Sequence, residues 1–308
     1  MRDGFLRVAA ATPSVRVADP AYNREQIETI IRSEAARGTK VLVFPELALS
    51  AYTCGDLFLQ DALQEAVLRE LRQLLHNTAD SEVLCFVGLP FAFENRLYNA
   101  VAVFQKGELL GLVPKLHIPN YGEFYERRYF TPGFEAPVLV PLFGERLPFG
   151  ARLLFSCESL PELKIGVEIC EDLWVPNAPS IDLCTAGATL IVNCSASNAL
   201  AGKRKARREL VKAQSSKLLA GYVYASAGEG ESTQDLVFSA HNLIAEAGEV
   251  LAESPLLTNT VVASELDLKK ILFLRRRQSS YPGRDSESNL YCDIDFDLRL
   301  TETELTRK

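Results

Sequence analysis

An α/β fold with a mixed rather than all-parallel sheet is predicted by three features of this sequence. Apolar runs such as "KVLVFPEL" (40–47), "VLCFVGLPF" (83–91) and "ATLIVNCSAS" (188–197) read as strands covered on both faces. Helical patterns fall between them. Two segments read as hairpins: "LYNAVAVFQKGELLGLVPK" (97–115), turning near Lys106-Gly107, and "HNLIAEAGEVLAES" (241–254), turning near Ala247-Gly248. Alternating βα units supply parallel pairs and hairpins supply antiparallel ones.

"FLRVAAATP" (5–13) reads as a buried strand ended by Pro13. A helix follows, with Asp19 as N-cap, Pro20 at the first position, Ile27, Ile30 and Ile31 on one face, and Gly38 as the stop. The strand 40–47 comes next. A second helix covers about 61–76, with Leu63, Val67, Leu71, Leu74 and Leu75 at helical spacing. After the first hairpin, Ile165, Val167 and Ile169 alternate as a strand that runs out at Cys170. The strand 188–197, a helix at about 203–219 and the strand opening "GYVYASAGEG" (221–230) precede the second hairpin. No Pro/Gly/Ser linker, repeat or low-complexity tract divides the chain. One domain is expected over 1–265, followed by a polar C-terminal extension, 266–308, in which "SSYPGRDSES" (279–288) reads as loop or disordered.

The 308 residues are 47% hydrophobic and 24% charged, the profile of a soluble globular protein with room for a large core. A net charge of -7 argues against a nucleic-acid partner. The N-terminal stretch does not read as a signal peptide, and no apolar run is long enough to predict a transmembrane helix. Seven cysteines at irregular spacing form no disulfide framework, and a reducing cytoplasm is the expected setting. Three scattered histidines lack the clustering of a metal site, so none is expected.

The nucleotide-binding signatures are absent: there is no GxxxxGK[ST], and "AGEGEST" (227–233) reads as a turn. Asn193-Cys194-Ser195 fits the glycosylation pattern but lies in a buried strand. The basic runs "KRKARR" (203–208) and "RRR" (275–277) read as solvated helix faces or subunit contacts. Three reactive residues remain, each at the end of an apolar strand: Glu46 after "VLVFP", Lys115 after "LLGLVP" and Cys170 after "IGVEI". Strand ends at one sheet edge are where α/β proteins build sites. The chemistry is coherent. A desolvated glutamate can take a thiol proton. A lysine can offset the thiolate and hold an oxyanion, with the N–H of Glu171 as a second donor. Such a set suits an amide or nitrile carbon.

Those stretches, "FPEL", "PKLHIPNYGEFYE" and "GVEICEDLWVP", together resemble the nitrilase (carbon–nitrogen hydrolase) superfamily. Within it, "ELALSAYTCGDLF", "PNYGEFYERRYFTPG", "EICEDLWVP" and "YVYASAGEGESTQDLVFSA" resemble the N-terminal glutaminase domains of glutamine-dependent NAD+ synthetases. The resemblance covers about residues 5–265. It implies a four-layer α-β-β-α sandwich that assembles as a homo-oligomer, a dimer or larger. It implies Cys170 as nucleophile, Glu46 as general base, Lys115 as oxyanion stabiliser and Glu123 as a second active-site glutamate. It also implies L-glutamine as substrate, with Tyr52, Tyr121, Glu171, Trp174, Ser197 and Lys203 as binding residues. Lys203 stands at a position that the resemblance also gives to arginine.

Such enzymes continue into an ATP-dependent synthetase domain with an SGGxDS loop, which this sequence lacks. The expectation is therefore a fragment or separate subunit that passes ammonia to a synthetase partner. ATP, magnesium and nicotinic acid adenine dinucleotide would belong to that partner, and no cofactor is expected here. Two rival readings share the scaffold: a stand-alone amidase or carbamoylase, and a non-catalytic assembly module.

Overall fold

The structure is a computed structural model that describes residues 4–283, 290–300 and 305–307. Among these residues two mixed sheets pack face to face. The first sheet contains β1 (Phe5–Ala11), β2 (Val41–Val43), β3 (Leu84–Phe93), β4 (Arg96–Gln105), β5 (Glu108–Pro114), β6 (Val138–Leu142), β7 (Glu145–Phe149) and β14 (Val261–Asp267), in the order β14-β1-β2-β3-β4-β5-β7-β6. The second contains β8 (Leu153–Cys157), β9 (Lys164–Ile169), β10 (Leu190–Ser195), β11 (Gly221–Ser226), β12 (Leu243–Glu246), β13 (Glu249–Glu253) and β15 (Cys292–Phe296), in the order β13-β12-β11-β10-β9-β8-β15. β1, β2 and β3 run parallel, as do β9, β10 and β11, while the hairpins β3-β4-β5 and β12-β13 are antiparallel. Both predicted hairpin turns fall where expected.

Strand alternation sorts the side chains into layers. In β1, Leu6, Val8 and Ala10 face the opposite sheet, whereas Ala9 and Ala11 face outward. The outer face of the first sheet is covered by α1 (Pro20–Ala36) and α2 (Asp61–Asn77). The outer face of the second is covered by α3 (Pro179–Thr185) and α4 (Lys203–Leu218). This is the four-layer α-β-β-α sandwich. The α1 cap forms as its sequence dictates: the Asp19 carboxylate accepts the Tyr22 N–H at 3.1 Å, with Pro20 in the first turn. In α2 all five expected apolar positions are buried.

Two expectations differ from the structure. The strand 40–47 is only Val41–Val43, because the chain turns at Phe44–Leu47 to bring Glu46 inward. The segment after 265 is not simply an extension. α5 (Leu268–Arg277) buries Leu268 and Ile271 between the sheets, and β15 pairs in parallel with β8. Arg275, expected on a solvated face, donates to the carbonyls of Ala188, Leu218 and Leu219, so it closes the C-terminal end of α4. Of the stretch 279–288, residues 284–288 lie outside the described residues. All seven cysteines are free, and six are buried.

Gly88 in β3 explains how the Glu46 turn fits. A β-carbon there would lie 2.2 Å from the Leu47 nitrogen and 2.5 Å from the Pro45 carbonyl oxygen, both backbone atoms that cannot rotate away. Gly88→Ala should therefore destabilise the protein by about 1–3 kcal/mol, the usual range for an overpacked core, read as a shift in the urea unfolding midpoint.

Candidate active site

Glu46 enters the interior from the turn after β2, and the Leu47 backbone that follows is left-handed (φ 53°). The carboxyl is fully buried and spans both sheets: Oε2 accepts the Ala196 N–H at 2.9 Å, just beyond β10. Oε1 accepts Asn99 Nδ2 of β4 and Lys115 Nζ, each at 2.6 Å. Lys115 follows β5, and its backbone N–H is held by the Asn99 carbonyl at 2.8 Å. Its Nζ also meets both oxygens of Glu126, at 2.8 and 2.9 Å. Tyr52 donates its hydroxyl to Glu126 at 2.7 Å. One buried ammonium thus pairs with two buried carboxyl groups.

Cys170 comes at the end of β9, in a left-handed conformation (φ 44°) that opens the short turn Cys170–Leu173. Ile165, Val167 and Ile169 face the other sheet, so a continuing strand would send residue 170 outward. The left-handed residue breaks that parity and keeps the thiol on the inner side, where the charges of Glu46, Lys115 and Glu126 act on it. Such backbone typically costs about 1–3 kcal/mol in a non-glycine residue and persists only where surroundings over-determine it. Here the Cys170 N–H is held by Asn193 Oδ1 at 3.2 Å.

The electrostatics suit a thiol activated during the reaction. Burial raises the Glu46 carboxyl to about 7, against the opposing pull of Lys115. Burial, then the Glu46 charge, push the Cys170 thiol well above its ordinary value. Burial alone would lower Lys115, but Glu126 and Glu46 outweigh it and keep the ammonium charged. The Cys170 thiol therefore keeps its proton at rest, and Glu46, which titrates near 7, is a group able to accept one.

A cleft of about 450 Å³ opens onto Cys170. Tyr121, Glu171, Trp174, Ser197 and Lys203 line it, together with Glu123, Phe124 and Leu200. The Tyr121 hydroxyl donates to Glu171 at 2.7 Å. Lys203 Nζ lies 5.5 Å from the ring centres of both Trp174 and Phe124 and bonds Asn198. Tyr52 is the exception among the expected binding residues. It supports Glu126 from a second, smaller cavity.

Glu123 does not join the buried charges. It accepts from Asn198 and lines the cleft, while Glu126 occupies the position beside Lys115. The two glutamates share one irregular loop, where no periodicity says which side chain turns inward. Asn99 also escaped sequence reasoning, lying mid-strand with no chemical signature. Asp172 bridges the two motifs. It accepts the Ile169 N–H at 3.0 Å and the His117 N–H at 2.8 Å, tying the Cys170 turn to the segment after Lys115. Glu171 and Asp172 thus sit in a turn rather than on alternate faces of a strand. The basic run 203–208 divides in the same way. Lys203 reaches the cleft, Arg204 and Arg208 pair with Glu253, and Arg207 is buried. Arg207 bonds Ser197 Oγ and the Asn198 carbonyl, bracing the cleft wall. Among the described residues, no three His, Cys, Asp or Glu side chains converge as a metal site.

Residues 7–276 match the carbon–nitrogen hydrolase family, and the chain belongs to it. Among its relatives is a glutamine-dependent NAD(+) synthetase from Mycobacterium tuberculosis, 41% identical over 274 residues, which are 89% of this chain and 40% of the relative. The chain thus spans about two fifths of the length of that relative. The crystal structure of a glutamine-dependent NAD(+) synthetase from Cytophaga hutchinsonii superposes with a TM-score of 0.75 at 27% identity, covering 85% of this chain and 42% of that one. An amidase of the nitrilase superfamily from Nesterenkonia shares the fold, with a TM-score of 0.69 at 20% identity over 90% of this chain and 96% of that one.

Replacing Lys115 by Met leaves Glu46 and Glu126 buried without their cation. The variant should lose about 3–5 kcal/mol at neutral pH. Glu46, no longer drawn down by that cation, would then hold its proton more tightly in the folded state. The loss should therefore be larger at about pH 8 than at about pH 5.5, as urea unfolding at both values would record.

Proposed function

We propose that this chain is a glutaminase that hydrolyses L-glutamine to glutamate and ammonia. The observation that carries it is the fully buried Glu46–Lys115 pair acting on Cys170 at the floor of an open cleft with charged walls. Cys170 Sγ attacks the side-chain carboxamide carbon while Glu46 takes its proton. Lys115 Nζ and the Glu171 N–H hold the oxyanion. The proton passes to the leaving nitrogen, ammonia departs, and a γ-glutamyl thioester remains. Water deprotonated by Glu46 then attacks the thioester, releasing glutamate and restoring the thiol. Glu126 and Asn99 keep Lys115 and Glu46 in place rather than touching substrate.

The cleft favours an amino acid over a simple amide. The Glu171 carboxylate suits an α-ammonium, and Lys203 suits an α-carboxylate. Tyr121 and Trp174 offer walls for the methylene stem. The relatives support a role for the ammonia in ATP-dependent NAD+ synthesis by a synthetase domain or subunit, which would hold the ATP and magnesium. A cytoplasmic homo-oligomer completes the reading. No described helix is long and apolar enough to cross a membrane.

Ammonia release from glutamine, measured against a panel of small amides, tests this reading. Cys170→Ala should lower the rate at least roughly a thousandfold, as loss of a nucleophile does. A variant that kept the wild-type rate would refute the assignment, and a clear preference for another amide would favour a stand-alone amidase. The base must be ionised to work, and Glu46 is raised to about 7. So kcat/KM should fall about tenfold per pH unit below that value and level off above it. Asn99→Ala removes a donor that favours the carboxylate and should move this limb to higher pH.

A further inference from the structure

We propose that Glu168, acting through Tyr222 and Asn193, is a remote positioning residue that holds the Cys170 backbone in its reactive conformation. The proposal rests on the reading of Cys170 as nucleophile and concerns groups outside the cleft.

Glu168 and Asn193 are direct cross-strand partners in β9 and β10, and Tyr222 comes from β11 beside them. These side chains lie on the outer face of the sheet, and all three are buried. A continuous chain of hydrogen bonds leads from them to the nucleophile. The Cys170 N–H donates to Asn193 Oδ1 at 3.2 Å. Asn193 Nδ2 donates to the Tyr222 hydroxyl oxygen at 3.1 Å. The Tyr222 hydroxyl donates to Glu168 Oε1, and the Ser180 N–H donates to Glu168 Oε2 at 2.9 Å.

The direction of every link is forced. A backbone N–H can only donate, so Asn193 must present its oxygen to Cys170 and its amide nitrogen to Tyr222. Ser195 Oγ donates to that same oxygen at 2.6 Å, which reinforces the orientation. Tyr222 then accepts from Asn193 and must spend its proton on Glu168. At Glu168 two donors converge, one on each oxygen, and one of them is a backbone N–H. An ionised carboxylate accepts both. A protonated acid or a glutamine offers one acceptor side and one donor side, so one link fails. If Tyr222 loses its acceptor, its proton turns toward Asn193. The amide is then drawn to flip, and a second donor faces the Cys170 N–H.

A buried carboxylate is a costly way to fill this space. Among the described residues its hydrogen-bond partners are two neutral donors, and burial raises it to about 7. Packing alone would be served better by an apolar side chain. What the charge supplies is polarity, carried to the one non-glycine residue of the site that must hold a left-handed backbone and a thiol at once.

The test compares Tyr222→Phe, Glu168→Gln and their double variant with the wild-type chain. The readouts are kcat and KM for glutamine, and the rate at which iodoacetamide alkylates Cys170, followed by peptide mass spectrometry. Near-UV circular dichroism identifies the folded variants. Each single variant should lose about tenfold or more in kcat with KM changed less than about threefold, and alkylation should slow in step. Residues acting as one unit are not additive, so the double variant should be no worse than the weaker single one. Gln214→Met, which removes the hydrogen bond to Ser180 Oγ at the same end of the chain, should leave kcat unchanged. A folded Tyr222→Phe with kcat within about twofold of wild type, or a double variant whose losses multiply, would overturn the proposal. If one single variant does not fold, the other decides by the same kcat and alkylation criteria. A wild-type chain that releases no ammonia refutes the proposed function instead, and the alkylation rates still decide the relay.

Discussion

The Lys115 ammonium between Glu46 and Glu126 is the interaction on which the rest of this structure depends. Three charges are buried where the two sheets meet, and each is tolerable only because of the others. Among the described residues the Lys115 ammonium bonds only carboxylates, so its position follows theirs, and Glu46 is further pinned by Asn99 and the Ala196 N–H. The result is a base whose basicity is raised by burial yet held back by its cation. A fully solvated glutamate would be too weak a base for a thiol, and an unpaired buried one would stay protonated.

The sandwich makes this cluster possible because its members come from different sheets. Glu46, Asn99 and Lys115 belong to the first sheet, and Cys170 and Ala196 to the second. Face-to-face packing brings the strand ends together over an apolar core that excludes water, so charges there act strongly. Two local departures from regular structure complete it. The turn beside Gly88 admits Glu46, and the left-handed Cys170 breaks strand parity so that the thiol stays inside. Behind Cys170, the hydrogen bonds through Asn193, Tyr222 and Glu168 supply the over-determination that such a backbone requires.

Much of the fold was legible. Strands β3, β4, β5, β10 and β11 announce themselves by apolar runs or turn chemistry, and α1 and α2 by caps and periodicity. The elements that went unread, such as β6, β7 and β15, are short and half-exposed, with no continuous apolar run to mark them, and β15 takes a distant partner. β15 reaches β8 across more than a hundred residues, and nothing local in "CDIDF" predicts that partner. The site divides similarly. Glu46, Lys115 and Cys170 stand out as reactive residues ending apolar strands. Glu126 does not, because it shares an irregular loop with Glu123.

What this sequence determined by itself was its set of amphipathic elements and the three reactive strand ends, since periodicity, caps and residue chemistry are local properties. Only the tertiary structure decided which glutamate meets Lys115, which arginine of "KRKARR" is buried, and why Asp172 follows Cys170. Each of those answers depends on a partner far away in the chain. A buried polar group takes whichever role leaves it satisfied, and that choice exists only once the two sheets have closed over it.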